Sequence, residues 1–200
     1  MKKPIISKYK INSMATYRWS PRALSERPIE NEKIRRMLEA ARWSPSAFNE
    51  QPWRFIVGIK GTETHEKLLE TLVEWNRKWA GKAPLLMINI AKKTFTHNKK
   101  NNVTCKYDLG QAVTQMCLEG MNQGIYSHQM SGFSQEKAIK LFQIPDDFEP
   151  VSATAFGYYG DPNLLPEDMY KSEIAKRSRK AIDEIIFTDN FGENTTLFKK

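Results

Sequence analysis

Apolar residues recur every three or four positions between Asn31 and Trp43, where Ile34, Met37, Leu38 and Ala41 share one side. That period predicts an amphipathic helix. "RFIVGI", Arg54 to Ile59, is short, apolar and β-branched, and predicts a strand. His65 to Trp79 returns to helical spacing, with Leu68, Leu69, Leu72, Val73 and Trp79 on one side. "APLLMINIA", Ala83 to Ala91, is apolar throughout and predicts a strand buried on both faces. Asp108 to Gln123 predicts a long apolar-rich helix, with Asp108 as its N-cap. Gly124 to Met130 predicts a strand, Ser134 to Phe142 a helix capped by Ser134, and Val151 to Gly160 a strand. This alternation gives an α/β or α+β class, with helices covering a sheet.

The chain has 200 residues. That length suggests one domain over 1–200 and suffices to bury a core without staples. Residues 1–16 and about 181–200 read as extensions. A tail ending in "FGENTTLFKK" is either loose or wraps a partner subunit. The formal net charge of +8 favours anionic partners, small-molecule phosphates or nucleic acid, without choosing between them. Scattered basic residues and the lack of an RNP-like or zinc-finger pattern argue against nucleic acid.

Two cysteines exclude a disulfide framework. Cys117 reads as a small core residue and Cys105 as a loop thiol. No apolar run is long enough for a signal peptide or a membrane span, so a cytoplasmic protein is expected. The sequons at Asn102 and Asn194 then read as chance. His65, His97 and His128 lie in unrelated segments, and no metal site is expected.

Three stretches carry chemistry. In "YRWSPRAL", Arg18, Ser20 and Arg22 alternate, so an extended backbone turns two guanidiniums and a hydroxyl to one side. Arg holds phosphate through paired N–H donors. A salt-bridged surface strand is the simpler alternative. In "RWSPSAFNEQPWRF", Pro45 ends the helix, and Ser46, Asn49 and Gln51 supply donors and acceptors. They either satisfy a turn or edge a flat heteroaromatic ring. In "KRSRKAIDE", Arg177 and Arg179 share a face if the backbone is extended and form a basic face if it is helical. The basic stretch Lys92 to Lys106 reads as a solvated loop or as a lid over an anion.

"RxSxR", "PSxxNxQPW" and "RxR", in that order, resemble the nitroreductase-like flavoprotein family. "EWNRKWAGKAPLLMINI", "YDLGQA", "SGF" and "FGYYGD" follow in the matching order, so the resemblance runs from about Tyr17 to Phe191. It implies a three-layer α+β fold, a mostly antiparallel sheet between helices, in a domain-swapped homodimer. It implies FMN as cofactor and NADH or NADPH as electron donor. Nitroaromatic, quinone or related electrophiles are the implied acceptors, reduced by ping-pong hydride transfer. A flavin-storage protein with little turnover shares the same residues.

Carried over by the resemblance, Arg18, Trp19, Ser20 and Arg22 border the flavin phosphate and ribityl chain, and Arg177 and Arg179 complete the grip. Pro45, Ser46, Ala47 and Asn49 approach the ring from the other subunit. Asn76 touches the ring edge, and Met130, Ser131 and Gly132 cover one side. No catalytic side chain is singled out, because the cofactor supplies the chemistry. Phe48 departs from relatives with polar or smaller residues and would narrow the substrate slot. Lys92 to Lys106 has no clear counterpart.

Overall fold

A computed structural model describes residues 3–5 and 7–193. The end of the tail, with the sequon at Asn194, lies outside the described residues. The elements run α1 (Ser13–Tyr17), α2 (Asn31–Arg42), β1 (Trp53–Ile59), α3 (Glu63–Thr71), α4 (Glu74–Ala80), β2 (Leu85–Lys92), α5 (Cys105–Asn122), β3 (Tyr126–Met130), α6 (Gln135–Phe142), β4 (Phe148–Gly157) and α7 (Glu167–Ile174). The strands pair in the order β1-β2-β4-β3, antiparallel at every step. The architecture is α+β, with the antiparallel sheet flanked by helices.

β2 is buried on both faces, as its unbroken apolar run predicts. Leu85, Met87 and Ala91 face the core that α2 and α5 close. Leu86, Ile88 and Ile90 face the core beneath α3, α4 and α6. The polar exception is Asn89, whose side-chain amide donates to Ser152 Oγ at 3.0 Å and Thr154 Oγ1 at 2.8 Å across the strand pair.

The expected continuous helix from His65 to Trp79 is two helices. Leu72 and Val73 are extended (ψ 145° and 152°) because Leu72 bridges to Phe133 and the Val73 N–H donates to the Gly132 carbonyl at 3.1 Å. Cross-chain backbone bonding here overrides a helical side-chain period.

Asp108 is not the N-cap. α5 begins three residues earlier, after Thr104, and Asp108 is buried in its first turn. Cys105 is consequently the buried first residue of α5 rather than a loop thiol, and burial pushes its thiol pKa up. Cys117 is a core residue as expected. Part of the N-terminal extension is ordered as α1, whose start is capped by the Asn12 side chain accepting from the Met14 N–H at 2.8 Å.

Among the described residues, no helix is long and apolar enough to cross a membrane.

Candidate functional site

The segment after α1 runs extended, and the alternation in its sequence becomes an alternation in burial. Trp19, Pro21 and Ala23 are buried, while Arg18, Ser20 and Arg22 are partly or fully exposed. The buried side is well held. Trp19 packs against Tyr126 and Tyr159, with ring centroids 6.2 and 5.7 Å away. Glu173 of α7, 1% exposed, accepts from the backbone N–H groups of Arg22 at 2.9 Å and Ala23 at 3.2 Å. His128 on β3 donates from Nδ1 to the Pro21 carbonyl at 3.0 Å. Its pKa falls to about 4, because burial dominates and the nearby Arg22 charge adds to it, outweighing the bonds to Pro21 and Ser20.

The two ends of the chain meet on this segment. Past α7 the backbone is non-helical, which excludes the basic helical face as an arrangement for Arg177 and Arg179. The Arg177 guanidinium donates to the carbonyls of Lys3 at 2.8 Å, Thr16 at 2.9 Å and Arg18 at 2.7 Å. Lys3 in turn donates to the carbonyls of Glu173 and Ala175. Burial lowers the Arg177 pKa, and the positive charges of Arg18 and Arg179 lower it further. Like charges are therefore gathered here. Among the described residues, none of Arg18, Arg22, Arg177 and Arg179 forms an ion pair with a carboxylate. Glu173, buried beneath this segment, spends both oxygens on backbone N–H groups. Arg22 Nε is buried without a partner.

The break between α3 and α4 builds a second part. It lets the Val73 N–H and the Asn76 side-chain amide converge on the Gly132 carbonyl, at 3.1 and 3.0 Å. A Cβ on Gly132 would lie 2.6 Å from Asn76 Nδ2 and 3.0 Å from Val73 Cγ2. A side chain there would push the Asn76 amide off the Gly132 carbonyl. Met130 is the buried end of β3, and Ser131 is exposed beside it. Asn76, Met130, Ser131 and Gly132 thus come together.

The third part is the proline-flanked corner. Phe48, Asn49 and Gln51 all have positive φ, at 52°, 53° and 51°. This is left-handed backbone that a bulky residue avoids. Several anchors hold it. The Ala47 N–H donates to the Asp108 carboxylate at 3.1 Å, and the Gln51 N–H donates to Ser46 Oγ at 3.0 Å. Glu50, its side chain 5% exposed, pairs with Lys92 at 3.1 Å and accepts from the Thr96 N–H at 2.9 Å. Burial raises the Glu50 pKa, but the Thr96 bonds and Lys92 outweigh it and hold the carboxyl at about 2. Asp108 and Lys92 thus act in the corner's architecture in ways the sequence pattern did not reveal.

The corner and the arginines are separated within one chain. Asp108, which holds the corner, and Cys117, which meets Gln129 on β3 beside the His128 that bonds Pro21, lie on one helix nine residues apart. At about 1.5 Å per residue that is roughly 13 Å along the axis.

Comparison with known proteins bears on the family and the fold. The Nitroreductase family model matches residues 15–87, which span the arginine segment, the corner and the α3–α4 break. A solved oxidoreductase containing FMN is 30% identical, with a TM-score of 0.87 over 94% of this chain and 96% of its own. The chain belongs to the nitroreductase family. A family member from Clostridium difficile 630 is 25% identical, with a TM-score of 0.70 over 91% of this chain and 99% of its own. A protein of 15.4 kDa from Mycolicibacterium smegmatis is 28% identical over 149 residues, 70% of this chain and 97% of its own length.

Other residues of this nitroreductase-family chain escaped the sequence reading. Glu173 and Lys3 fix the arginine segment, yet one of three acids in a short charged helix and a terminal lysine give no pattern to notice. In sequence His128 reads as one of three dispersed histidines, and its bond to the Pro21 carbonyl and its packing on the Trp79 ring, 4.6 Å between centroids, reveal its structural place.

Proposed function

We propose that this chain is an FMN-dependent oxidoreductase. It takes electrons from NADH or NADPH and delivers them to a small oxidised acceptor such as a nitroaromatic or a quinone. The observation that carries the reading is the group of arginines without a carboxylate counter-charge. A cationic cluster held this way is stabilised by an anion, and a phosphate monoester fits the donor set. The nature of the solved oxidoreductase containing FMN supports the choice of phosphate ester.

Arg18, Ser20 and Arg179 would hold the phosphate, with Trp19 fixing their segment from behind. Arg177 has three N–H bonds committed to main-chain carbonyls, so its part is to position Arg18 and add positive charge. Arg22, with its orphaned Nε, would reach the polar edge of the ring and stabilise negative charge there. Asn76 and the Met130–Gly132 strand end would border the ring. When bound, FMN supplies two-electron transfer between a reduced nicotinamide and the acceptor. The protein's work is orientation and charge stabilisation.

Pro45, Ser46, Ala47 and Asn49 belong to the same site only if a second copy brings its corner to these arginines. A homodimer is therefore part of the reading. The separation between corner and arginines along α5 supports it.

The test is anaerobic titration of the purified protein with NADH and with NADPH. Flavin absorbance near ~450 nm should bleach with one or both and return on adding a nitroaromatic or quinone. A protein that stays colourless after incubation with FMN, or whose flavin never bleaches, overturns the proposal.

A further inference from the structure

Phe48 combines two costs. Its backbone is left-handed, at φ 52° and ψ 25°, and its ring is 85% exposed. Neither local preference nor burial accounts for an aromatic ring there, which makes the position a candidate for function. Two aromatic rings neighbour it. Phe95 lies 5.7 Å away edge-on and His97 6.1 Å away, with Phe95 and His97 5.4 Å apart.

Phe95 and His97 come from the stretch that had no counterpart in the family pattern. It is a hairpin rather than a plain loop. Thr94 and Asn101 bridge antiparallel, the Phe95 N–H donates to the Lys100 carbonyl at 2.9 Å, and the Asn102 N–H donates to the Lys93 carbonyl at 2.7 Å. In this register Lys100 lies opposite Phe95, and opposite residues share a face. Lys93, two positions before Phe95, shares it too. The hairpin is fastened to the corner through the Lys92–Glu50 pair and the Thr96 bonds. Nearby carboxylates are engaged elsewhere: Glu50 with Lys92, Asp147 with Thr94, and Glu149 with Lys106. Among the described residues, Lys93, Lys99 and Lys100 have no ion-pair partner.

We propose that this hairpin selects the electron acceptor: Phe48, Phe95 and His97 form an aromatic edge, and Lys93 and Lys100 beside it favour aromatic acceptors carrying a carboxylate. The inference rests on the flavin-enzyme reading, including the second copy that brings the corner to the flavin. It adds the acceptor class. A ring stacks or packs edge-on against the aromatic edge, and the unpaired lysines attract its charge.

The test is steady-state kinetics of the FMN-loaded enzyme with 4-nitrobenzoate and 4-nitrobenzamide, which differ in charge and share the ring. The wild type should prefer the benzoate in kcat/KM by about fivefold, and high salt should reduce the preference. The double variant K93Q/K100Q should bring the ratio close to one, mainly through KM. Phe95→Ala should raise KM for both compounds, and Phe95→Tyr, which keeps the ring, should restore it. A benzoate preference that survives in K93Q/K100Q, or a wild type that prefers the amide, overturns the proposal. So does a Phe95→Ala protein that loses a subunit by sedimentation, since the edge would then be a subunit contact. A wild type that reduces both compounds without discrimination defeats this inference alone. A protein that binds no flavin defeats it together with the functional reading.

Discussion

Arg177 donates to the main-chain carbonyl of Arg18 at 2.7 Å, so a residue near the C-terminal end fixes the backbone of one near the N-terminal end. The same guanidinium holds Lys3 and Thr16. Its fork is spent on protein, and its charge still adds to the cluster. Positioning and electrostatics are thus combined in one side chain.

Arg177→Lys should separate these two parts. Lysine keeps the charge but cannot reach three carbonyls with a planar fork. FMN affinity should fall by about tenfold or more, with a lower melting temperature, and Arg177→Ala should fall further. Flavin fluorescence titration and thermal unfolding check this. Unchanged affinity in both variants would remove Arg177 from the site.

Glu50 gives a pH test. Its folded carboxyl titrates at about 2, below the usual carboxylate value of 4.5. The stabilisation is therefore fully present above about pH 4.5 and is lost as pH falls towards 2. Glu50→Gln should be less stable than wild type at neutral pH, and the gap should close across that window. Denaturant unfolding of the two proteins at several pH values measures it. A gap that stays constant with pH would contradict the ion pair's role.

His128 titrates at about 4 in the fold, below its ordinary value of 6.5. The unfolded chain therefore takes up a proton first as pH drops, and stability should decline from pH 6.5 down to 4. NMR titration of the ring should show it neutral until close to pH 4. An ordinary midpoint would mean the ring is far more solvated than its contact with Pro21 allows.

Gly132→Ala should fold, because the first atom a Cβ meets is the amide end of Asn76, which can swing away. Its hydrogen bond to the Gly132 carbonyl would be lost, for about 1 kcal/mol of stability. Flavin binding should weaken at least as much as in Asn76→Ala. Thermal unfolding and flavin titration of both variants test this, and full flavin affinity in both would detach this corner from the ring.

Much of the fold was legible because burial and period coincided. β2 is apolar except at Asn89 and its last residue, Lys92, and is buried along its whole length. Arg18, Ser20 and Arg22 alternate in sequence and in exposure. The α3–α4 break was illegible, since Leu72 and Val73 fit the helical stripe and yield only to Phe133 and Gly132, about sixty residues on. Asp108 misled because an acid at a helix start looks like a cap, whereas its carboxylate serves Ala47, remote in sequence. The hairpin from Lys93 to Asn102 was hidden by its lysines, which resemble a solvated run until Phe95 is seen against Phe48.

The arginine cluster as a phosphate site is most directly tested by calorimetric titration of flavin-free protein with FMN and with riboflavin, which lacks the phosphate. FMN should bind at least about a hundredfold more tightly, and the difference should shrink in Arg18→Ala and Arg179→Ala. Equal affinity for the two flavins would contradict it.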